Sequence, residues 1–121
     1  MTKILVVEDQ EDNRQILRDL LASAGYDMAE AENGQEALAA VAQHKPDLIL
    51  MDIQLPIMDG YEATRRIKAM PEFNNIPIIV VTSYALSGDE AKARDAGCDA
   101  YVTKPYSPRA LLAKIREYLP K

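Results

Sequence analysis

Five polar residues that could do chemistry each come directly after or at the end of a short apolar run: Glu8, Asp9, Asp52, Thr82 and Lys104. Neighbouring carboxylates repel one another unless a cation neutralises them. Mg²⁺ accepts a few carboxylates, keeps waters and leaves positions open for a phosphoryl oxygen. A carboxylate beside such an ion and a lysine can attack phosphorus and form an aspartyl phosphate. The lysine offsets charge on the transferring group, and the threonine hydroxyl can bind one of its oxygens.

The elements that must bring these residues together alternate between short β-branched runs and longer helical periods. Near-continuous apolar runs predict strands buried on both faces, as in a parallel sheet. Asn33 and Ser107 are capping residues that predict the start of two helices, and Pro108 follows Ser107 at the first helical position. Gly25 and Gly97 predict the ends of two other helices. The predicted strands cover 4–7, 27–30, 48–51, 78–81 and 100–103, and the predicted helices cover 12–24, 34–45, 59–70, 87–96 and 108 onward.

This fivefold strand–helix alternation predicts an α/β fold with helices on both faces of a parallel sheet. We expect right-handed crossovers and a doubly wound, five-stranded sheet in the order 2-1-3-4-5. The functional site of such a sheet lies beyond the carboxyl ends of its strands. We expect residues 1–121 to form a single domain without an effector domain.

Composition narrows the class of protein. The 121 residues are 48% hydrophobic and 27% charged, which is typical of a globular domain and excludes a disordered chain. The formal net charge of −5 argues against direct binding of nucleic acid or of an anionic membrane. Cys98 is the single cysteine, so no internal disulfide is possible, and we interpret it as a small buried residue in a cytoplasmic protein. No apolar run approaches the roughly 20 residues of a membrane span.

Two other classes of protein use similar folds, and the residues argue against both. A flavin or nucleotide binder needs a phosphate loop rich in glycine and hydroxyl groups, whereas residues 8–12 here are mostly acidic and would repel phosphate. An aspartyl-phosphate phosphatase of the haloacid dehalogenase type needs a second acid two residues after its nucleophile. Position 54, two residues after Asp52, is glutamine.

Four motifs together resemble the response-regulator receiver family, to which the chemotaxis regulator CheY belongs. They are ILVVEDQEDN, DLILMDIQLPIMDGYE, IIVVTSYA and AGCDAYVTKPYS, and the resemblance covers the entire chain. Within the family the chain is similar to DivK-type regulators. This similarity rests on the stretch Ile53–Pro56 and on residues 88–90 and 97–98.

The resemblance implies a role for each motif residue. Asp52 would be the phosphoacceptor, Asp9 would bind Mg²⁺ directly, and Glu8 would bind it through a water. The main-chain carbonyl of Gln54 would complete the protein ligands. Lys104 would pair with the phosphoryl group, and its bond to Pro105 would be cis. Glu8 stands where the family more often has aspartate, which would alter the water shell of the metal.

The resemblance also implies a switch. Thr82 would move toward the phosphoryl oxygen and Tyr101 would swing inward behind it, although plain core packing is the alternative for Tyr101. Gln54 and Tyr84 would tune the loss of the phosphoryl group, with Tyr84 screening the attacking water. The residues that would dock a kinase are Asn13, Arg14, Ile16, Leu20, Pro105 and Tyr106.

The function that follows is a single-domain regulator of a two-component phosphorelay, acting by protein contact rather than as an enzyme with a separate substrate. The donor would be a phosphohistidine on a histidine kinase or phosphotransfer protein, or a small acyl phosphate. The face formed by the fourth helix, fifth strand and fifth helix would bind a downstream protein or a second copy of the chain. Direct contact with nucleic acid or membrane is not expected.

Overall fold

The computed structural model describes residues 2–83 and 89–119. Across these ranges, five parallel strands form one sheet in the order β2-β1-β3-β4-β5, which confirms the predicted topology. The strands are β1 (Lys3–Val7), β2 (Asp27–Ala31), β3 (Leu48–Met51), β4 (Ile78–Thr82) and β5 (Ala100–Thr103). The helices are α1 (Glu11–Ser23), α2 (Gly34–His44), α3 (Gly60–Lys68), α4 (Asp89–Ala96) and α5 (Pro108–Tyr118).

Local capping chemistry explains where several helices begin and end. The Asn33 side chain accepts a hydrogen bond from the Glu36 amide at 2.8 Å, and Ser107 caps α5 with Pro108 at its first position. Gly25 follows α1 with φ of +86°, the left-handed conformation that ends a helix most readily when the residue is glycine. Predicted residues 87 and 88 of α4 lie outside the described residues.

The core lies on both faces of the sheet because side chains alternate along each strand. Leu5 and Val7 of β1 face one hydrophobic cluster, which α2, α3 and α4 cover. Ile4 and Val6 face a second cluster, which α1 and α5 cover. Cys98 is buried in the first cluster, as predicted. Among the described residues, none of the helices combines the length and apolarity that a membrane crossing requires.

The loop between β3 and α3 folds back onto the end of β3. The Gly60 amide donates to the Ile53 carbonyl at 2.9 Å, and the Gly34 amide donates to the Met58 carbonyl at 3.0 Å. These bonds anchor the loop to β3 and to the start of α2. The loop therefore holds Asp52, the residue directly after β3, in a defined position.

Ile57, on this loop, is strained. Its φ of +71° lies in the left-handed region, which β-branched residues rarely adopt, and its side chain is 77% exposed. We expect Ile57→Asn to raise the free energy of unfolding by about 1 kcal/mol, because asparagine tolerates this conformation. Urea denaturation measures the change. Ile16→Asn, at an exposed isoleucine within α1, is the control and should bring no gain.

A second stability prediction concerns Thr64 on α3. Its hydroxyl is buried and, among the described residues, has no hydrogen-bond partner. Thr64→Val keeps the shape and removes the unsatisfied group, so we expect the free energy of unfolding to rise by about 1 kcal/mol. Thr64→Ser keeps the hydroxyl and loses a methyl group, so it should lower stability by about 1 kcal/mol. A loss of stability in the valine variant would contradict this interpretation in a urea titration.

Candidate functional site

The carboxyl ends of four adjacent strands meet at one edge of the sheet. The Asp52 amide donates to the Val7 carbonyl at 3.0 Å, which ties the end of β3 to the end of β1. The Lys104 amide donates to the Thr82 carbonyl at 2.8 Å, which ties the residue after β5 to the end of β4. The parallel register therefore brings together residues that are up to 96 positions apart in the chain.

Lys104 joins two carboxylates in this cleft. Its Nζ lies 2.8 Å from Glu8 Oε1 and 3.4 Å from Asp52 Oδ2. The side chain of Glu8 is 3% exposed and that of Asp52 is 11% exposed, so both charges lie where water screens them poorly. The peptide bond between Lys104 and Pro105 is cis, as predicted.

The proton affinities of the three groups differ because their surroundings differ. Burial and the neighbouring Glu8 carboxylate raise the pKa of Asp52 to about 6, although Lys104 opposes the rise. Burial alone would raise the pKa of Glu8, but its bonds to Lys104 and to the Gln10 amide outweigh burial and lower it. Burial would lower the pKa of Lys104, and the two carboxylates outweigh that effect and raise it. Lys104 is therefore a stable ammonium between two acids.

The acidic residues fit a hard cation. Carboxylate oxygens of Glu8, Asp9 and Asp52 all lie within 4.8 Å of one another. Burial and the neighbouring Glu8 carboxylate raise the pKa of Asp9, because a second negative charge beside Glu8 is unfavourable. Oxygen donors at this spacing match the ligand preference of Mg²⁺.

Three of the remaining predicted site residues lie on or shortly after strands β3, β4 and β5. Thr82 is buried at the end of β4, and Tyr101 on β5 is partly buried against the first hydrophobic cluster. The Gln54 side chain is exposed, and the main-chain amide of Gln54 donates to Asp52 Oδ1 at 3.4 Å. Tyr84, predicted to tune phosphoryl loss, lies outside the described residues.

Most of the predicted docking residues line one cavity of about 400 Å³ beside Lys104. Leu20, one turn further along α1, packs instead against the second hydrophobic cluster. The cavity has an exposed apolar rim, because Ile16 is 55% exposed. Its lining residues are Glu8, Asn13, Ile16, Leu17, Ser83, Lys104, Pro105, Tyr106 and Pro108.

Arg14, the other predicted docking residue on α1, is buried and is not part of this cavity lining. Its side chain is 10% exposed, and its guanidinium bonds the Glu8 carbonyl, Glu11 and Glu30. This burial argues against the predicted direct contact between Arg14 and a kinase. A signal was present in the sequence, since Arg14 precedes the buried Leu17 and Leu21 by three and seven residues and so shares their helix face.

Gly60 was also missed as a site residue. A Cβ added there would collide with the main-chain oxygen of Asp52. The turn pair Asp59–Gly60 was the available signal, but the close approach depends on how the loop folds back. Gly60 therefore fixes the distance between the start of α3 and the residue at the centre of the cleft.

Comparison with known proteins agrees with this fold. The response regulator receiver domain family matches residues 4–116. The polar-differentiation response regulator DivK of Brucella abortus is 45% identical over 120 residues, covering 98% of each chain. The receiver domain of a histidine kinase from Syntrophus aciditrophicus superposes with a TM-score of 0.93 at 32% identity, covering 98% of this chain and 90% of that one.

A further solved structure bears on the acidic cluster. The receiver domain of a sensor histidine kinase from Pseudomonas aeruginosa, which has magnesium coordinated in its active-site cleft, superposes with a TM-score of 0.92. It is 34% identical and covers 99% of this chain and 98% of that one.

The chain therefore belongs to the response regulator receiver domain family. It is a response regulator of the two-component phosphorelay type, similar in length and sequence to the DivK regulators. Both the predicted family and the predicted resemblance to DivK-type proteins are confirmed. Receiver domains bind Mg²⁺ in an acidic cleft, and the cluster at the end of this sheet fits that ion.

Proposed function

We propose that Asp52 accepts a phosphoryl group from a phosphohistidine and that the resulting aspartyl phosphate switches the contacts this chain makes with other proteins. The observation that carries the proposal is the position of the Asp52 carboxylate. It lies 3.4 Å from the Lys104 ammonium and within 4.8 Å of the Glu8 and Asp9 carboxylates. A nucleophile, a fixed cation and a set of oxygen donors thus share one cleft.

The phosphoryl transfer needs only the phosphohistidine and Asp52 as reactants. The ionised Asp52 oxygen attacks phosphorus, an O–P bond forms, the N–P bond of the phosphohistidine breaks, and the electron pair leaves on the imidazole nitrogen. The Ile53 amide, 2.7 Å from Asp52 Oδ1, orients one oxygen of the carboxylate. That leaves Oδ2, on the side of Lys104, as the attacking atom.

Asp9, Glu8 and Asp52 would hold the magnesium ion, with the main-chain carbonyl of Gln54 as a further ligand. When bound, magnesium supplies positive charge that stabilises the phosphoryl oxygens. Lys104 supplies a second positive charge, already held in place by Glu8. Because both acids are buried, water screens the Lys104 charge poorly, and its attraction for the transferring phosphoryl group is strong.

The switch would use Thr82 and Tyr101. Thr82 ends β4 next to Lys104, so its hydroxyl can reach a phosphoryl oxygen after a small movement. Tyr101 pairs with Val80 in the sheet, two residues before Thr82, so that movement can be transmitted to its ring. Gln54, and by resemblance Tyr84, would set the rate at which the phosphoryl group is lost.

The phosphohistidine donor would be a histidine kinase or a phosphotransfer protein. It would dock on the cavity rim formed by Asn13, Ile16, Pro105 and Tyr106, where an apolar side chain can be buried directly beside Lys104. The face formed by α4, β5 and α5 would bind a downstream protein or a second copy of the chain. We place this activity in the cytoplasm, in a single-domain switch that acts on no separate substrate.

The test is phosphorylation by acetyl phosphate, a donor that needs no docking surface. Wild type should gain one phosphoryl group in intact mass when Mg²⁺ is present and none when the ion is chelated. Asp52→Asn, which keeps the shape of the side chain but removes the nucleophile, should gain none under either condition. Phosphorylation of Asp52→Asn at the wild-type rate, or of wild type without a divalent cation, would overturn the proposal.

A further inference from the structure

The Glu8 main chain is held at both of its polar groups. Its amide donates to the Ala31 carbonyl at 3.0 Å, and its carbonyl accepts from Arg14 Nη1 at 2.8 Å. That carbonyl belongs to the peptide unit that joins Glu8 to Asp9. Its orientation therefore sets where the side chains of both acids begin.

Two carboxylates hold the Arg14 guanidinium through the nitrogens that do not contact Glu8. Its Nε donates to Glu30 Oε1 at 3.0 Å and its Nη2 donates to Glu11 Oε1 at 2.7 Å. Glu30 lies on β2 and Glu11 begins α1, so the guanidinium links the strand, the helix and the loop between β1 and α1. A planar, always charged fork can make these three bonds at once, whereas a lysine ammonium on its flexible stem cannot hold the same geometry.

We infer that Arg14 is a positioning residue for the magnesium site, acting through the peptide between Glu8 and Asp9 rather than on a partner protein. The inference rests on the proposed magnesium site and adds to it a residue outside the ligand set. Groups that orient metal ligands typically change metal affinity by about 10- to 100-fold when they are removed. Arg14 is such a group, because its buried bond to the Glu8 carbonyl orients the peptide that carries the Glu8 and Asp9 side chains.

Loss of the Arg14 charge and loss of its bond to the Glu8 carbonyl should change the affinity for Mg²⁺ in opposite directions. Removing a positive charge near an acidic cluster, by Coulomb's law alone, strengthens the binding of a cation. Removing the bond to the Glu8 carbonyl frees the peptide that carries two ligands and weakens binding. Arg18 offers a matched control. It bonds the same Glu30, at 2.7 Å, and within the described part of the chain its side-chain partners are Glu30, Glu11 and Gln15 rather than Glu8.

The experiment is a calorimetric titration of the full chain with Mg²⁺ alone. Arg14→Met should raise the dissociation constant by about 10-fold or more. Arg14→Lys, which keeps the charge, should raise it by about threefold, because one ammonium replaces the fork. Arg18→Met should leave it unchanged or slightly lower. Circular dichroism checks folding, and if Arg14→Met does not fold, Arg14→Lys carries the test.

The same variants give a kinetic readout that general damage to the fold would not reproduce. In phosphorylation by acetyl phosphate, Arg14→Met should raise the Mg²⁺ concentration for half-maximal rate and leave the rate at saturating Mg²⁺ near that of wild type. Mg²⁺ binding as tight as in wild type, by Arg14→Met or, if that variant does not fold, by Arg14→Lys, would overturn the inference alone. Equal weakening by Arg14→Met and Arg18→Met would do the same. Absence of Mg²⁺ binding in wild type would overturn the proposed site itself.

Discussion

Lys104→Met is expected to slow the phosphorylation of Asp52 by about 100- to 1,000-fold, the usual cost of removing one preorganised charge from a transition state. The Lys104 ammonium lies 3.4 Å from Asp52 Oδ2 and is held by Glu8 at 2.8 Å, so it needs no rearrangement to meet a phosphoryl oxygen. Methionine fills a similar volume without the charge. The rate of mass gain from acetyl phosphate at saturating Mg²⁺ measures the loss.

A control separates this effect from a general change in charge. Lys114→Met removes the same charge from the surface of α5, where Lys114 lies 3.6 Å from Glu117, and should phosphorylate at the wild-type rate. Mg²⁺ should bind Lys104→Met at least as tightly as wild type, because a cation has left the acidic cleft. A Lys104→Met variant that phosphorylates within about threefold of wild type would show that the transfer does not use this charge.

Gly60→Ala should lower the free energy of unfolding by about 3 kcal/mol and slow phosphorylation in the molecules that still fold. The added Cβ would collide with the main-chain oxygen of Asp52 and would lie 2.9 Å from the Ile53 Cα. Backbone atoms cannot move aside as a flexible side chain can, so the end of β3 has to shift. Urea denaturation and the acetyl phosphate assay measure the two effects.

The sign of this stability change is informative because helix propensity predicts the opposite. Alanine at the start of α3 would be favoured over glycine by about 1 kcal/mol if nothing were close to it. Gly25→Ala is the matched control, because among the described residues no atom beyond Gly25 and its two chain neighbours lies within 4 Å of the added Cβ, and the φ of +86° is what opposes the change. We expect that variant to lose about 1 kcal/mol. Equal or greater stability in Gly60→Ala would contradict the close approach to Asp52.

The parts of the fold that sequence could predict are those fixed by local chemistry and by the pattern of apolar runs. The bounds of β3 and β5 and the caps at Asn33 and Ser107 agree with the structure, because a buried strand and a cap depend on neighbouring residues. The convergence of Glu8, Asp52 and Lys104 followed from strand order, since parallel strands place their carboxyl ends at one edge.

The parts that sequence missed depend on contacts between distant segments. Arg14 was placed among the docking residues because it lies on the first helix, which docks a kinase in the family that the chain resembles, and only the position of Glu30 on β2 shows why it is buried. Ile57 gave no sequence signal of a left-handed conformation, since glycine or asparagine is usual there. The loop that imposes this conformation is fixed by bonds to Ile53 and, across the sheet edge, to Gly34.

The most direct measurement of the central claim is to locate the phosphoryl group chemically. Wild type is phosphorylated with acetyl phosphate and Mg²⁺, the acyl phosphate is reduced with borohydride, and the digested peptides are sequenced by tandem mass spectrometry. We expect conversion of the Asp52 side chain to that of homoserine, in the peptide that contains Asp52 and in no other. Reduction at Glu8 or Asp9, or no reduction in protein whose mass shows the added phosphoryl group, would contradict the assignment of Asp52 as the phosphoacceptor.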